Sequence, residues 1–430
     1  MKNAEIGPGE TRSLAPSFSP ISQPSYCQQF LSRRDWGMEF SPACAPELPT
    51  RPGSFSLREG GEGVEAGVGL RCGSGRSGRS GRSWESGSGR RAFLAGMGRM
   101  ALGAMACGSW GARDEALAAG TPPAGSPWTV LRFDGRDYLP LREIGSFYRL
   151  GPLERSLNQF SLRIGGSSLR GHADSQEFFI SRLKFILSFP IREISGELCM
   201  SRMDLVKLVE PVLRPSRIAS AGQVDTVVLD PGHGGSDSGA VGRLAAEKEL
   251  TLDVAFRARD ALMRAGYQVF LTRDRDEFVS LEDRARFANR FARENALFIS
   301  IHFNSSGSGS GVETFTLAPQ GVPSMMADGP RVSDFQRCPG NARDAENMAL
   351  ATATHSAVVL RARLPDRGIK RARFFVIRET VLPSVLLEGG FLSNPEEIRR
   401  VASVEYRQQM AAGIVEAVQV YRRAVYPGAV

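Results

Sequence analysis

The chain of 430 residues contains no stretch that reaches the ~18 consecutive apolar residues of a spanning helix, so no transmembrane segment is expected. Cysteine is sparse: four of the six (Cys27, Cys44, Cys72, Cys107) fall in the N-terminal part, and only Cys199 and Cys338 lie where the sequence reads as folded. No CxxC occurs, which removes a zinc ribbon and a thioredoxin-like redox motif and argues against a disulfide framework. Zinc-finger spacing and the aromatic-basic signature of RNA-binding motifs are missing too, so nucleic acid is not an expected partner. The net charge of +8 is modest for this length and suits an anionic polymer or surface.

What is present divides into three regions. Residues 1–120 are rich in Gly, Ser, Pro and Arg, with the low-complexity run Gly75 to Ser83, and lack the apolar surface to offset ordering entropy. They read as a disordered region or an over-extended gene start. Within them Arg90-Arg91-Ala92-Phe93-Leu94, followed by small and apolar residues to about Trp110, resembles a twin-arginine export signal, although Arg99 interrupts the run. Residues 128–216 read as a small α+β module. The strings RDYLPLREIGSFY and ISGELCMSRMDLVKLVEPVL resemble the small module at the N-terminus of copper amine oxidases and of many wall enzymes, and carry no metal ligands. Arg214 to Gly222 reads as a linker.

Residues 222–425 alternate strand and helix patterns, which predicts an α/β fold with a mostly parallel mixed sheet flanked by helices. Expected strands are Val227 to Leu229, Gln268 to Leu271, Leu297 to Ile301, Val312 to Leu317 and Ser384 to Leu387. Leu250, Val254, Ala258 and Leu262 mark one stripe of a helix from Glu247 to Ala265. Ser280 with Asp283 caps a second helix running to Arg293, and Asn394 with Pro395 opens a short one. The last helix spans about Val404 to Arg423.

The first of these strands runs into Asp230-Pro231-Gly232-His233-Gly234-Gly235. This is not a phosphate cradle: Gly239 is followed by Ala240-Val241 instead of the Lys-Ser/Thr of a Walker loop, and Asp237 stands where a dinucleotide fingerprint needs its third glycine. The glycines instead let the chain turn and leave His233 at a strand end. His302 ends another strand. Side chains at the carboxyl ends of strands in an open α/β sheet meet in one crevice. Two imidazoles there invite zinc, with a carboxylate as third ligand and the fourth position open to water. Glu247, at the start of the following helix, is the leading candidate and Glu249 its local rival. Glu388 follows the apolar run Val385 to Leu387 and precedes Gly389-Gly390, a placement suited to a general base.

In order along the chain, DPGHGGSDSGAVG, AAEKELTLDVAFRARDAL, VFLTRDRDEFVSLEDRARFAN, LFISIHFN, DRGIKRARFFVIRE and VLLEGGFLSNPEE resemble the zinc-dependent N-acetylmuramoyl-L-alanine amidases, over nearly all of Val224 to Tyr421. The resemblance implies that His233, Glu247 and His302 bind Zn2+ and that Glu388 is the catalytic glutamate. The family's Glu-Lys pair matches Glu247-Lys248, which favours Glu247 over Glu249. It also implies hydrolysis of the amide between N-acetylmuramic acid and L-alanine in peptidoglycan, in the periplasm or cell envelope, and leaves room for a protein activator. The alternatives are a related zinc peptidase acting on wall peptides and a non-catalytic peptidoglycan-binding protein; the latter predicts a missing ligand, and none is missing. His172 and His355 match no motif and read as surface or packing residues. Pro319 to about Ala342 departs from the family as an insertion, read as a surface loop, with a cover over the crevice as the second reading.

Overall fold

The computed structural model describes residues 128–428, apart from 165, 166, 308 and 328. The low-complexity region and the Arg90-Arg91 motif lie outside the described residues. Fifteen strands occur among the described residues. Four of them form an antiparallel sheet in the order β1 (Leu131–Phe133), β2 (Arg136–Pro140), β9 (Glu197–Ser201), β8 (Arg192–Ile194). The helix Leu141–Tyr148 follows β2, and helical turns from Arg202 to Leu213 follow β9.

The other eleven form one sheet. From one edge, β11 (Gln268–Leu271), β10 (Thr226–Pro231), β12 (Ala296–Asn304) and β15 (Ser384–Phe391) run parallel. Next comes β13 (Val312–Leu317), antiparallel to β15 and parallel to β14 (Asp366–Ala372). The sheet continues through β7 (Leu183–Ile186), β6 (Glu177–Ile180), β5 (Ser167–His172), β4 (Gln159–Ile164) and β3 (Leu153–Ser156), an antiparallel meander. Thus β14 and β7, paired at Ile369 and Phe185, join the segment 153–186 to the strands after residue 222.

The period of two along each strand sorts side chains between two cores. Val227, Leu229, Leu297, Ile299, Val385 and Leu387 join the core shared with the helices Glu247–Arg264, Asp344–Ala362 and Val404–Val425. Val228, Phe298, Leu386 and Phe315 point the other way, to the helices Leu281–Asn289 and Phe375–Glu379. The expected stripe Leu250, Val254, Ala258, Leu262 is wholly buried. Ser280 accepts the Asp283 N–H and Asn394 accepts those of Glu396 and Glu397, so both expected caps are present. The second helix stops at Asn289, short of Arg293.

The helix after the insertion was expected without bounds, and strand β14 and the short helix Phe375–Glu379 were not foreseen. The helix Asp344–Ala362 is buried on nearly all sides, so it carries no polar face to give it a period. Strand β14, Asp-Arg-Gly-Ile-Lys-Arg-Ala, reads as surface by composition, yet Arg371 in it is fully buried with its guanidinium donating to the carbonyls of Leu317 and Lys207.

Candidate active site

Strand β10 delivers Asp230 and Pro231 to its carboxyl end, and the chain turns at Gly232. A Cβ on Gly232 would come within 2.2 Å of the His302 ring, and one on Gly239 within 2.5 Å of the His233 ring. Only glycine at these two positions therefore lets the loop after β10 close on the imidazoles. His233 itself sits in the left-handed region at φ 60°, a strained choice for a residue with a side chain that the surroundings must enforce. Two buried arginines do so. Arg284 Nη1 pairs with Asp230 at 2.7 Å and donates to the Pro231 carbonyl, and Nη2 donates to the His233 carbonyl at 2.6 Å. Arg273 donates to the carbonyls of Pro231, Gly232 and Lys248. Asp230 also accepts from Thr272 and Ser300. Neither arginine was singled out from the sequence, because a charged residue in a predicted loop or helix reads as solvated.

Three groups converge. Glu247 Oε1 lies 3.1 Å from His233 Nε2 and 2.9 Å from His302 Nδ1, and the three ligand atoms fall within 4.8 Å of one another. Asp237 Oδ2 holds the other nitrogen of His233 at 2.8 Å. The backbone N–H groups of Phe303 and Ala240 donate to the two oxygens of Glu247. Burial works against charge on Glu247, but its hydrogen bonds and the charge of both imidazoles prevail and hold the carboxyl well below its usual range. Burial likewise opposes charge on His233, and Glu247 with Asp237 raises it nonetheless. Glu249 turns away, accepting the Ala246 N–H at the helix's own start. Two imidazoles and one carboxylate converging in this way form a donor set that fits a divalent metal ion, zinc among them.

Glu388 sits one strand over. It is paired in register with His302 on β12 and with Glu313 on β13. Its Oε2 is buried and has no hydrogen-bond partner among the described residues. Burial, then the negative charge of Glu247 and Glu313, raises its carboxyl well above the ordinary range against a smaller opposing pull from Lys370. Glu313, also buried, was not picked out from the sequence; Arg367 Nε at 2.5 Å and Lys370 Nζ at 2.6 Å share its Oε1.

Of the other histidines, His355 is fully buried, with Nε2 on Asp366 at 2.8 Å and Nδ1 beside Thr314, a packing role. His172 lies on β5, away from these groups in the sheet order. The insertion does not reach the crevice. Because β13 runs antiparallel to β15, its carboxyl end, where Pro319 follows, lies at the opposite end of the sheet from Glu388. There Arg373 fastens it, donating to the carbonyls of Pro319 and Asp334. The reading as a cover is therefore corrected to that of a loop on the far end.

A metal-type triad from two strand ends and a helix start, beside a buried carboxyl on the neighbouring strand, defines a metal-assisted hydrolase of the α/β class. The family model described as N-acetylmuramoyl-L-alanine amidase matches residues 227–420. YqiI of Bacillus subtilis (strain 168), itself uncharacterised, is 35% identical over 197 residues, 46% of this chain and 84% of that protein. N-acetylmuramoyl-L-alanine amidase AmiA of Escherichia coli (strain K12) is 31% identical over 246 residues, 52% of this chain and 84% of AmiA. Among solved structures, the catalytic domain of the amidase CwlV from Bacillus (Paenibacillus) polymyxa var. colistinus is 34% identical and covers 46% of this chain and 98% of its own, at a TM-score of 0.38. The chain belongs to the N-acetylmuramoyl-L-alanine amidase family, enzymes that cleave the amide between N-acetylmuramic acid and L-alanine in peptidoglycan.

Proposed function

We propose that the enzyme is zinc-dependent, with His233, Glu247 and His302 as the ligands and Glu388 as the group that moves the proton. The observation that carries this is the convergence of three donor atoms within 4.8 Å beside a buried carboxyl that lacks a partner. Zinc bound there supplies a Lewis acid for the scissile carbonyl and lowers the pKa of water toward ~7. Asp237 fixes the tautomer of His233 so that Nε2 faces the crevice. Phe303 and Ala240 hold the Glu247 carboxylate through their N–H groups, leaving it no freedom to rotate away. Glu388 takes a proton at its free oxygen as water attacks, and returns it to the nitrogen that leaves.

Elemental analysis of the purified protein, with mass spectrometry of digested wall fragments, tests the reading. One zinc per chain and release of intact stem peptides ending in an N-terminal L-alanine are expected. Cleavage inside the peptide would instead favour a wall peptidase. Residues 90–91 further support export by the twin-arginine route to the cell envelope, where wall remodelling or cell separation would use the activity. Replacing both arginines by lysine should then hold the protein inside the cell, and normal export of that variant would remove the idea.

A further inference from the structure

The rung His302–Glu388–Glu313 continues to two cations on the next strand, β14, and these outnumber the carboxylate between them. Glu313 Oε1 already has Lys370 at 2.6 Å as a counter-ion. Arg367 is a second cation on the same oxygen, so Glu313 alone does not neutralise both. Its side chain is 38% exposed, against 18% for Lys370. Arg367 is also fixed in place. Its guanidinium lies 4.9 Å from the centre of the Phe391 ring, and its stem runs beneath Gly311, where a Cβ would meet it at 2.9 Å. Its Nε is taken by Glu313, and Nη1 has only a 3.5 Å contact with the Ser310 carbonyl. The result is a rigid, partly exposed fork with spare N–H donors, the geometry that binds a carboxylate in bidentate fashion.

We propose that Arg367 is a specificity-determining residue that binds a carboxylate on the peptide leaving group. The direction follows from the acid, and the inference rests on Glu388 being the proton donor. Glu388 must stand beside the departing nitrogen, and it lies between His302 and Glu313. The amine-bearing peptide therefore leaves the reacting centre past Glu388 toward β13 and β14. The Arg367 head group reaches back to Glu313 on β13, and β12 and β13 are two spacings apart, roughly 10 Å, which an extended peptide covers in two to three residues. The carboxylate recognised is thus two to three residues beyond the scissile amide.

The test uses two soluble muramyl peptides that differ only in carrying a free carboxylate or a carboxamide at that position. The wild-type enzyme should prefer the carboxylate by about tenfold or more in kcat/KM, the value of one charge-assisted contact, and mainly through KM. Arg367→Gln should erase the preference by lowering kcat/KM on the carboxylate substrate selectively, while Arg367→Lys should keep part of it. Equal rates on both substrates by the wild-type enzyme, or a parallel fall on both in Arg367→Gln, would overturn the inference. The wild-type comparison decides even if a variant does not fold. Glu388→Gln separates the two claims: if it still turns over both substrates normally, the site reading fails first, whereas loss of turnover with no substrate preference in wild type sinks the Arg367 role alone.

Discussion

Glu247 and Glu388 are both carboxylates disfavoured by burial, and their neighbours drive them in opposite directions. Glu247 has two imidazoles and two backbone N–H groups on its oxygens, so it stays ionised as a ligand must. Glu388 is buried, faces two carboxylates and has an unpartnered oxygen, so its affinity for a proton is raised, as suits a group that takes one up and passes it on. Environments that push two acids apart assign their roles. Glu388→Gln is expected to retain a full complement of zinc by elemental analysis while kcat falls about 100-fold or more, the usual worth of a general acid-base group. Glu247→Ala, His233→Ala and His302→Ala should instead lose stoichiometric zinc, since two remaining ligands hold it poorly. Equal zinc loss in Glu388→Gln and Glu247→Ala would mean the two glutamates are assigned the wrong way round. His233, His302 and Glu388 stood out in the sequence because glycines and apolar runs announce strand ends, whereas Glu247 was preferred to Glu249 through the family resemblance. Glu313 was not, because nothing in the string Val-Glu-Thr-Phe-Thr-Leu tells a buried, doubly paired glutamate from an exposed one.

The strand-end loop after β10 depends on elements distant in sequence. Arg284 comes from the helix Leu281–Asn289 and Arg273 from just beyond β11, and together they bind the carbonyls of residues 231–233. Arg284→Met would leave Asp230 buried without its cation, a loss of about 3–5 kcal/mol by the usual cost of breaking such a pair. Chemical denaturation should read that loss, and a change under about 1 kcal/mol would mean the pair is not the anchor. The pH dependence has a definite sign. Burial opposes charge on Asp230, but Arg284 and the hydroxyls of Thr272 and Ser300 hold its carboxyl below the ordinary value. Its contribution is therefore present above the unfolded-state pKa and is lost as pH falls through the lower folded-state one. Asp230→Asn should flatten that part of the acid limb of stability. The elements with periods or caps were read well, Gln268–Leu271 and Val312–Leu317 to the residue. Those without an exposed face were read poorly, Asp344–Ala362 without bounds and β14 not at all, because sequence patterns report contrast between inside and outside.

At the scale of the whole molecule, strands β3 to β7 of the segment 128–216 and the strands that carry the site share one sheet. Strand β14 lies inside that sheet because β7 pairs with it. The seam is polar and specific. Asp366 accepts the Lys184 N–H at 2.9 Å while also holding His355, the buried Arg371 donates to the Lys207 carbonyl at 2.6 Å, and Lys207 pairs with Asp344 at 3.0 Å. A fragment starting at residue 222 would turn β14 into an edge with open N–H and C=O groups and would leave Arg371 without one of its acceptors. Losing these contacts should cost on the order of 3 kcal/mol, which for a domain of this size is a fall of about 6–12 °C in Tm. If the segment were only a tethered wall-binding module, the fragment 222–430 would melt at the same temperature as a chain of 128–430, and calorimetry of the two decides. Because β14 also carries Arg367 and Lys370, the fragment should lose discrimination between carboxylate and carboxamide peptides along with its stability. A fragment that melts as the longer chain does and keeps that discrimination would show that the two parts fold and act independently.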